Sequence, residues 1–330
     1  MSILMISSLV GIRESPRFLT GPTSRRGKKM TMPNVPAVSV EGLVCKYREF
    51  VAVNEVSFTV DQGELFAVVG PNGAGKTTLL ETLQGLRTVS AGKVRVFGID
   101  PRNRSVSHSR MGIMFQESGL LSDLTVRETI ATIGPLTGRS DNSDHVVERV
   151  GLSRLAGSRV SQLSGGERRR LDFALAIYGA PRLIFLDEPT TGLDPVAREE
   201  LWKQVAVLRN GGATIILTTH YLEEVENYAT RIGFMKQGRM AAQGKLHEVL
   251  SASPRHIRFR YADDVAGPVH PYARRSGSWN IIPVSDLQSD LLALLVWADS
   301  MRVRLDDVQI DSGGLRDYFM RENKGIENVG

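Results

Sequence analysis

Leu65-Phe66-Ala67-Val68-Val69-Gly70-Pro71-Asn72-Gly73-Ala74-Gly75-Lys76-Thr77-Thr78 is the stretch that decides how this chain is read. Five apolar residues in a row suit a strand buried on both faces, as in a parallel sheet. The run stops at a glycine-rich turn that fits G-x-x-x-x-G-K-[ST] over residues 70–77. Glycines allow backbone N–H groups to converge on phosphate oxygens. The helix expected over 76–86 starts there and adds its positive dipole end. Lys76 is placed to neutralise β- and γ-phosphates, and Thr77 to ligate Mg²⁺ through its hydroxyl. Alone, this loop indicates nucleotide binding and nothing narrower.

A second apolar run, Leu183-Ile184-Phe185-Leu186, ends in Asp187-Glu188 and Pro189. Ligands of open α/β sheets bind at the C-terminal ends of the strands, where these two carboxylates lie. Asp187 can hold Mg²⁺ directly or through water, and Glu188 can polarise an attacking water. A third run, residues 214–218, is followed by His220, which thus also ends a predicted strand and can reach a γ-phosphate. Between the first two runs lies Gln162-Leu163-Ser164-Gly165-Gly166-Glu167. Ser-Gly-Gly at a helix start exposes backbone N–H groups and a hydroxyl, which makes another anion site. One nucleotide pocket does not need two such sites, so the second is expected to serve a second copy of the chain.

With these motifs in order, residues 38–245 resemble the ATP-binding cassette (ABC) ATPases. The resemblance implies a P-loop α/β core, an antiparallel β layer, a helical signature subdomain and, beyond them, a small C-terminal α+β appendage. It assigns Tyr47 to adenine stacking and Gly70, Pro71, Asn72, Gly73, Ala74, Gly75, Lys76, Thr77 and Thr78 to the phosphates. Gln116 matches the glutamine that senses Mg²⁺ and the membrane partner. Ser164, Gly165, Gly166 and Glu167 match the signature sequence, and Asp194, in Gly192-Leu193-Asp194-Pro195, matches the loop that crosses the dimer interface. Asp187, Glu188 and His220 match the metal-binding acid, the catalytic base and the switch histidine. ATP and Mg²⁺ are the implied ligands, with Thr77, Gln116 and Asp187 at the metal and Glu188, His220 and Lys76 in catalysis. Residues 121–128, 218–226, 231–233 and 238–244 are further similar to the bacterial daunorubicin-type drug-resistance exporters. That likeness implies a peripheral subunit at the cytoplasmic face of the membrane, working as a homodimer with a separately encoded permease docked near residues 116–133. A loose likeness of Leu315-Arg316-Asp317-Tyr318-Phe319 to the end of those exporters is the only one after residue 250. Importers and soluble ABC ATPases that act on ribosomes or nucleic acid are the rival readings, together with a regulatory module that binds ATP without turning it over.

The remaining composition narrows these readings. The chain has 330 residues, 42% hydrophobic and 23% charged, with a net charge of +5. That is enough chain for about two domains with a real core. Residues 1–34 carry six Lys/Arg and one Glu, which is the whole excess; the rest holds 35 charges of each sign. A charge-balanced globular part disfavours nucleic acid as a partner. The single cysteine, Cys45, excludes an internal disulfide and reads as a strand filler. The six histidines include no metal-type pairing, and no segment reaches the ~20 apolar residues that span a bilayer. The apolar start at residues 1–12 lacks a basic lead, so a disordered basic extension over 1–36, or a start at Met30 or Met32, is expected in place of a secretion signal. Strands are expected at 38–47, 51–60 and 93–97, and mostly helix from 122 to 180. The cassette is expected to end near 245–250. Residues 251–330 form an accessory region that starts with an irregular stretch at 251–280. A helix is expected at 286–300, with Leu287, Leu291, Leu294, Leu295 and Ala298 on one face.

Overall fold

Three strands without an exposed residue, β3 (Leu65–Val69), β6 (Leu183–Asp187) and β7 (Thr214–Thr219), lie side by side at the centre of the fold. A computed structural model describes residues 35–103, 110–117, 119–251, 255–261, 270–311 and 315. The basic extension over 1–34, its alternative starts, His108 and residues 316–319 of the tail motif lie outside these residues. With β5 (Met111–Met114), β8 (Arg231–Lys236) and β9 (Arg239–Lys245) the sheet order is β5-β6-β7-β3-β8-β9. All pairings are parallel except β8 with β9. Side chains alternate between faces, so one apolar run serves two cores. Leu65, Ala67, Val69, Ile184, Leu186, Ile215 and Leu217 enter one core; Phe66, Val68, Leu183, Phe185 and Ile216 enter the other.

The second core is closed by α1 (Lys76–Leu83) and by an antiparallel sheet of β1 (Val38–Tyr47), β2 (Phe50–Val60) and β4 (Ala91–Val96), in the order β2-β1-β4. Phe58 of β2 stacks on Phe66 of β3 at 5.1 Å, which joins the two layers. The first core is covered by helices: α2 (Val126–Leu136), α3 (Ser143–Arg149), α4 (Gly165–Ile177), α5 (Pro195–Asn210) and α6 (Leu222–Tyr228). Helix α2 starts at a capping box in which Thr125 and Glu128 satisfy each other's backbone N–H. Trp202 of α5 is buried and stacks on Tyr228 at 4.3 Å. The short helix α7 (Leu246–Ser251) follows β9.

The C-terminal part has its own antiparallel sheet: β10 (Arg255–Tyr261), β11 (Arg274–Ser276), β12 (Trp279–Val284) and β13 (Leu305–Asp311), in the order β11-β12-β10-β13. Helix α8 (Leu287–Ser300) packs on it over Ile257, Phe259, Ile282 and Leu294. Two expectations need correction here. The stretch 251–280 contains the central strand β10, whose Ile257 and Phe259 are buried while arginines flank them. The alternation is present, but Arg258 and Arg260 made the segment read as polar; their guanidinium groups lie over the Trp279 ring at 5.5 and 4.7 Å. Leu295 does not share the core face: it is 48% exposed, whereas Leu294 and Ala298 are buried. Among the described residues no helix is long and apolar enough to cross a membrane.

Gly112 of β5 tests how tightly the helical part rests on the sheet. A Cβ there would lie 1.9 Å from the Ala176 carbonyl oxygen of α4, a backbone atom that cannot swing away. Gly112→Ala is expected to destabilise the fold by about 2 kcal/mol through overpacking. Thermal denaturation checks this, and an unchanged midpoint contradicts the packing described.

Candidate functional site

The glycines of the loop after β3 are required by close backbone approach. A Cβ on Gly70 would sit 2.2 Å from Met235 O, and one on Gly75 2.3 Å from Ala52 O. Gly75 also has φ of 99°, a left-handed conformation that side chains resist. The loop is thus threaded between β8 and β2 and delivers the chain to α1 with no side-chain cap on the first turn. The free N–H groups of that turn and the dipole behind them favour an anion. Lys76 is only 6% exposed, and its Nζ donates to Gly70 O at 2.8 Å and Pro71 O at 3.2 Å.

A cavity of about 430 Å³ opens above this loop. It is lined by Tyr47, Phe50, Ala52, residues 72–78, Gln116 and Glu188. Tyr47, the phosphate loop, Gln116 and Glu188, far apart in sequence, are therefore brought together. Phe50 was missed as a site residue; it faces Tyr47 across the β1–β2 turn, and only that pairing could have flagged it. The Tyr47 hydroxyl is 3.2 Å from Thr78 Oγ1, and the Arg87 guanidinium lies 4.6 Å from the Tyr47 ring centre. Gly70 and Pro71 are not among the lining residues and serve through their carbonyls.

The ends of β6 and β7 supply the acidic edge. Asp187 is buried, and its carboxylate accepts from the Thr218 hydroxyl. Burial pushes its carboxyl pKa up, while hydrogen bonds from Thr218 and Thr77 work against that rise. Thr77 and Asp187 form a hard oxygen donor pair, the chemistry that Mg²⁺ takes alongside phosphates and water. No group of three or more His, Cys, Asp or Glu that could hold a metal exists among the described residues. The donor set therefore fits a cation held jointly with a phosphate ligand and not a cage made by the protein alone. Glu188 extends one carboxylate oxygen to each side: Oε1 is 3.6 Å from Lys76 Nζ, and Oε2 is 2.7 Å from His220 Nδ1, whose N–H tautomer donates to it. His220 is not among the residues lining the cavity and meets its wall at Glu188.

Glu188 has φ of 49°, a left-handed conformation in a residue other than glycine, which costs about 1–2 kcal/mol. Its N–H donates to Thr218 O at 3.2 Å and Thr218 Oγ1 at 3.0 Å. Arg169 of α4 approaches the same loop. Its Nη2 donates to Asp187 O at 2.5 Å and Glu188 O at 2.6 Å; its Nη1 donates to Phe115 O at 2.6 Å and Gln116 O at 3.0 Å. Burial pushes the Arg169 pKa down, opposed by Asp172, Asp187 and Glu188. Arg169 sits in a run of three arginines that reads as a solvated helix face, so the sequence carried no signal for it.

Ser164, Gly165, Gly166, Glu167 and Asp194 do not line the cavity. Ser164 caps α4: its Oγ accepts from Glu167 N at 3.3 Å, and Ser164 N donates to Glu167 Oε2 at 2.7 Å. Hydrogen bonds to its carboxylate from the Ser164 backbone N–H and then from the Ser164 side chain hold the Glu167 pKa below the ordinary carboxylate range. A Cβ on Gly166 would lie 3.5 Å from Leu193 Cδ2, so the signature turn and the loop bearing Asp194 are neighbours. Asp194 caps α5 by accepting from Val196 N at 3.0 Å and Ala197 N at 2.9 Å. Behind them, buried Glu224 accepts from the Thr190 hydroxyl at 2.9 Å and lies 3.3 Å from Arg198 Nε, tying this loop to α6.

A second, apolar hollow of about 400 Å³ lies where β5, α2 and α4 meet; Met114, Phe115, Leu120, Ile133, Leu136 and Leu175 are among its walls. Arg139 at its edge has its pKa pushed down to about 10 by burial and donates to Met111 O at 2.6 Å.

Comparison with known proteins fits this geometry. A family described as ABC transporter matches residues 53–191. The Nod factor export ATP-binding protein I of Mesorhizobium japonicum is 38% identical over 230 residues, 68% of this chain and 68% of that protein. The protein of the same name from Paraburkholderia xenovorans is 40% identical over 214 residues, 63% of this chain and 70% of that protein. Among solved structures, an ATP-binding subunit of an ABC transporter superposes with a TM-score of 0.60 at 25% identity, covering 65% of this chain and 92% of that one. The ADP conformation of an ATP-binding cassette of an ABC transporter gives 0.58 at 26% identity, covering 66% and 95%. A phosphate loop, a paired acidic strand end and a cassette fold shared with these proteins leave one conclusion: the chain belongs to the ABC transporter family, as an ATP-hydrolysing, ATP-binding subunit.

Proposed function

We propose that this subunit powers export through a separate membrane permease by closing as a dimer around ATP. The observation that carries the catalytic part is the Glu188 carboxylate, set between Lys76 and His220 at the wall of the phosphate-loop cavity. In this reading Tyr47 stacks on the adenine, and the loop N–H groups with Lys76 hold the β- and γ-phosphates. Thr77, Asp187 and Gln116 would hold Mg²⁺, which would supply charge neutralisation at the phosphates. Glu188 accepts the proton of the attacking water, and His220, hydrogen-bonded to it, fixes the direction of the carboxylate. Lys76 balances the charge that builds on the phosphoryl oxygens.

Ser164, Gly165, Gly166 and Asp194 do not line the cavity of their own chain and belong, in this reading, to the site of a second copy. Glu167 acts through the cap that shapes the Ser164 turn. ATP thus joins the phosphate loop of one copy to the signature turn of the other, and loss of the γ-phosphate removes the joint. The apolar hollow beside Gln116 supports docking of a permease segment there, and in this reading the subunit works at the cytoplasmic face of the membrane. The direction of transport is supported by the names of the relatives; the kinship with drug-type exporters rests on the motifs at 121–128, 218–226, 231–233 and 238–244 alone.

Glu188→Gln is expected to lower the rate of phosphate release about 1,000-fold, the size of a lost general base together with misdirected water, while fluorescent ATP still binds with wild-type affinity. Wild-type turnover in that variant contradicts the base assignment. For the transport reading, the tagged native chain, purified from detergent-solubilised membranes, is expected to bring down a polytopic membrane protein in stoichiometric amount. Recovery of ribosomes, or of no membrane protein, contradicts it.

A further inference from the structure

We infer that Arg169 is a positioning residue for hydrolysis: it sets the backbone conformation of Glu188 and ties it to the strand end at Phe115-Gln116. The inference rests on the reading of Glu188 as the base. The two carbonyls that accept from Nη2, Asp187 O and Glu188 O, belong to the peptide planes on either side of the Glu188 Cα. Holding both planes fixes φ and ψ of that residue and hence the direction of its Cα–Cβ bond. This matters because Glu188 sits at φ of 49°, a conformation that relaxes unless its surroundings hold it.

The stoichiometry is specific to arginine. A guanidinium has four terminal N–H donors in a plane, and here all four are used, two on each loop. A lysine offers three donors from one point and cannot span both pairs of carbonyls. The anchor is rigid, because Arg169 is 7% exposed and lies one turn into a helix that starts at the capping box of Ser164 and Glu167. Phe115, whose carbonyl it holds, also walls the apolar hollow, as do Asp172 and Leu175 of the same helix. A shift of the hollow's wall therefore changes the hydrogen bonds that aim Glu188, without any contact between Arg169 and nucleotide.

The test uses Arg169→Lys in the full chain, with ATP as the probe. Displacing a reacting group by about 1 Å costs on the order of 100-fold. Arg169→Lys is expected to lower kcat about that much, with KM and fluorescent-ATP affinity unchanged. Combined with Glu188→Gln, it is expected to give no further loss in single-turnover assays, because the two act through one carboxylate. Wild-type kcat in Arg169→Lys overturns the inference. So does a loss that falls on KM or ATP affinity, or a full further loss in the double variant. If Arg169→Lys does not fold by circular dichroism, the same readings are made on Arg169→Gln, whose amide serves only one pair of carbonyls. Wild-type turnover in Glu188→Gln alone removes the base assignment instead, which separates the two failures.

Discussion

The register of three buried parallel strands is the constraint on which the rest depends. Leu65 pairs with Ile215 and Val69 with Thr219, while Asp187 pairs with Thr218. Strands β3, β6 and β7 therefore end at one edge of the sheet. From that edge the chain delivers the phosphate loop, the Asp187-Glu188 pair and His220 to one place. Apolar residues on both faces make the register costly to slip, since a shift by one residue would exchange the two cores.

Local devices then refine what the register sets roughly. Glycines 70 and 75 let the loop pass between backbone oxygens. Thr218 caps the Glu188 N–H and hydrogen-bonds Asp187, so a single strand residue holds both acids. Arg169 closes the arrangement from the helical side. The left-handed turn at Glu188 is the strained point among these devices, and the hydrogen bonds converge on it. Strain held in this way at the carboxylate proposed as the base is a form of preorganisation.

Much of this was legible in the sequence for physical reasons. Buried parallel strands must be apolar throughout, so Leu65–Val69 and residues 183–186 announced themselves, and the ligand end of such strands follows from chain direction. The strands expected at 38–47 and 51–60 form an antiparallel pair over Val38–Tyr47 and Phe50–Val60, with the alternation interrupted where the register shifts between Val40 and Lys46. What stayed hidden was chemistry carried by backbone oxygens. Arg169 binds four carbonyls, and no side-chain pattern reports a carbonyl. Strand β10 was hidden differently: its outward residues are long cations that shield Trp279, so the polarity count exceeded the alternation. Leu295 was placed inward by helical spacing alone, but α8 contacts a narrow four-stranded sheet, and a wide apolar stripe overhangs it.

The proposed closure needs a second copy to complete the site, because Ser164 and Asp194 stand outside the cavity that holds Lys76 and Glu188. The direct measurement is the solution mass of the Glu188→Gln variant by light scattering, in ATP and in ADP. Dimers in ATP and monomers in ADP are the expected result. Monomers at saturating ATP would contradict the shared site and leave each copy to bind nucleotide alone.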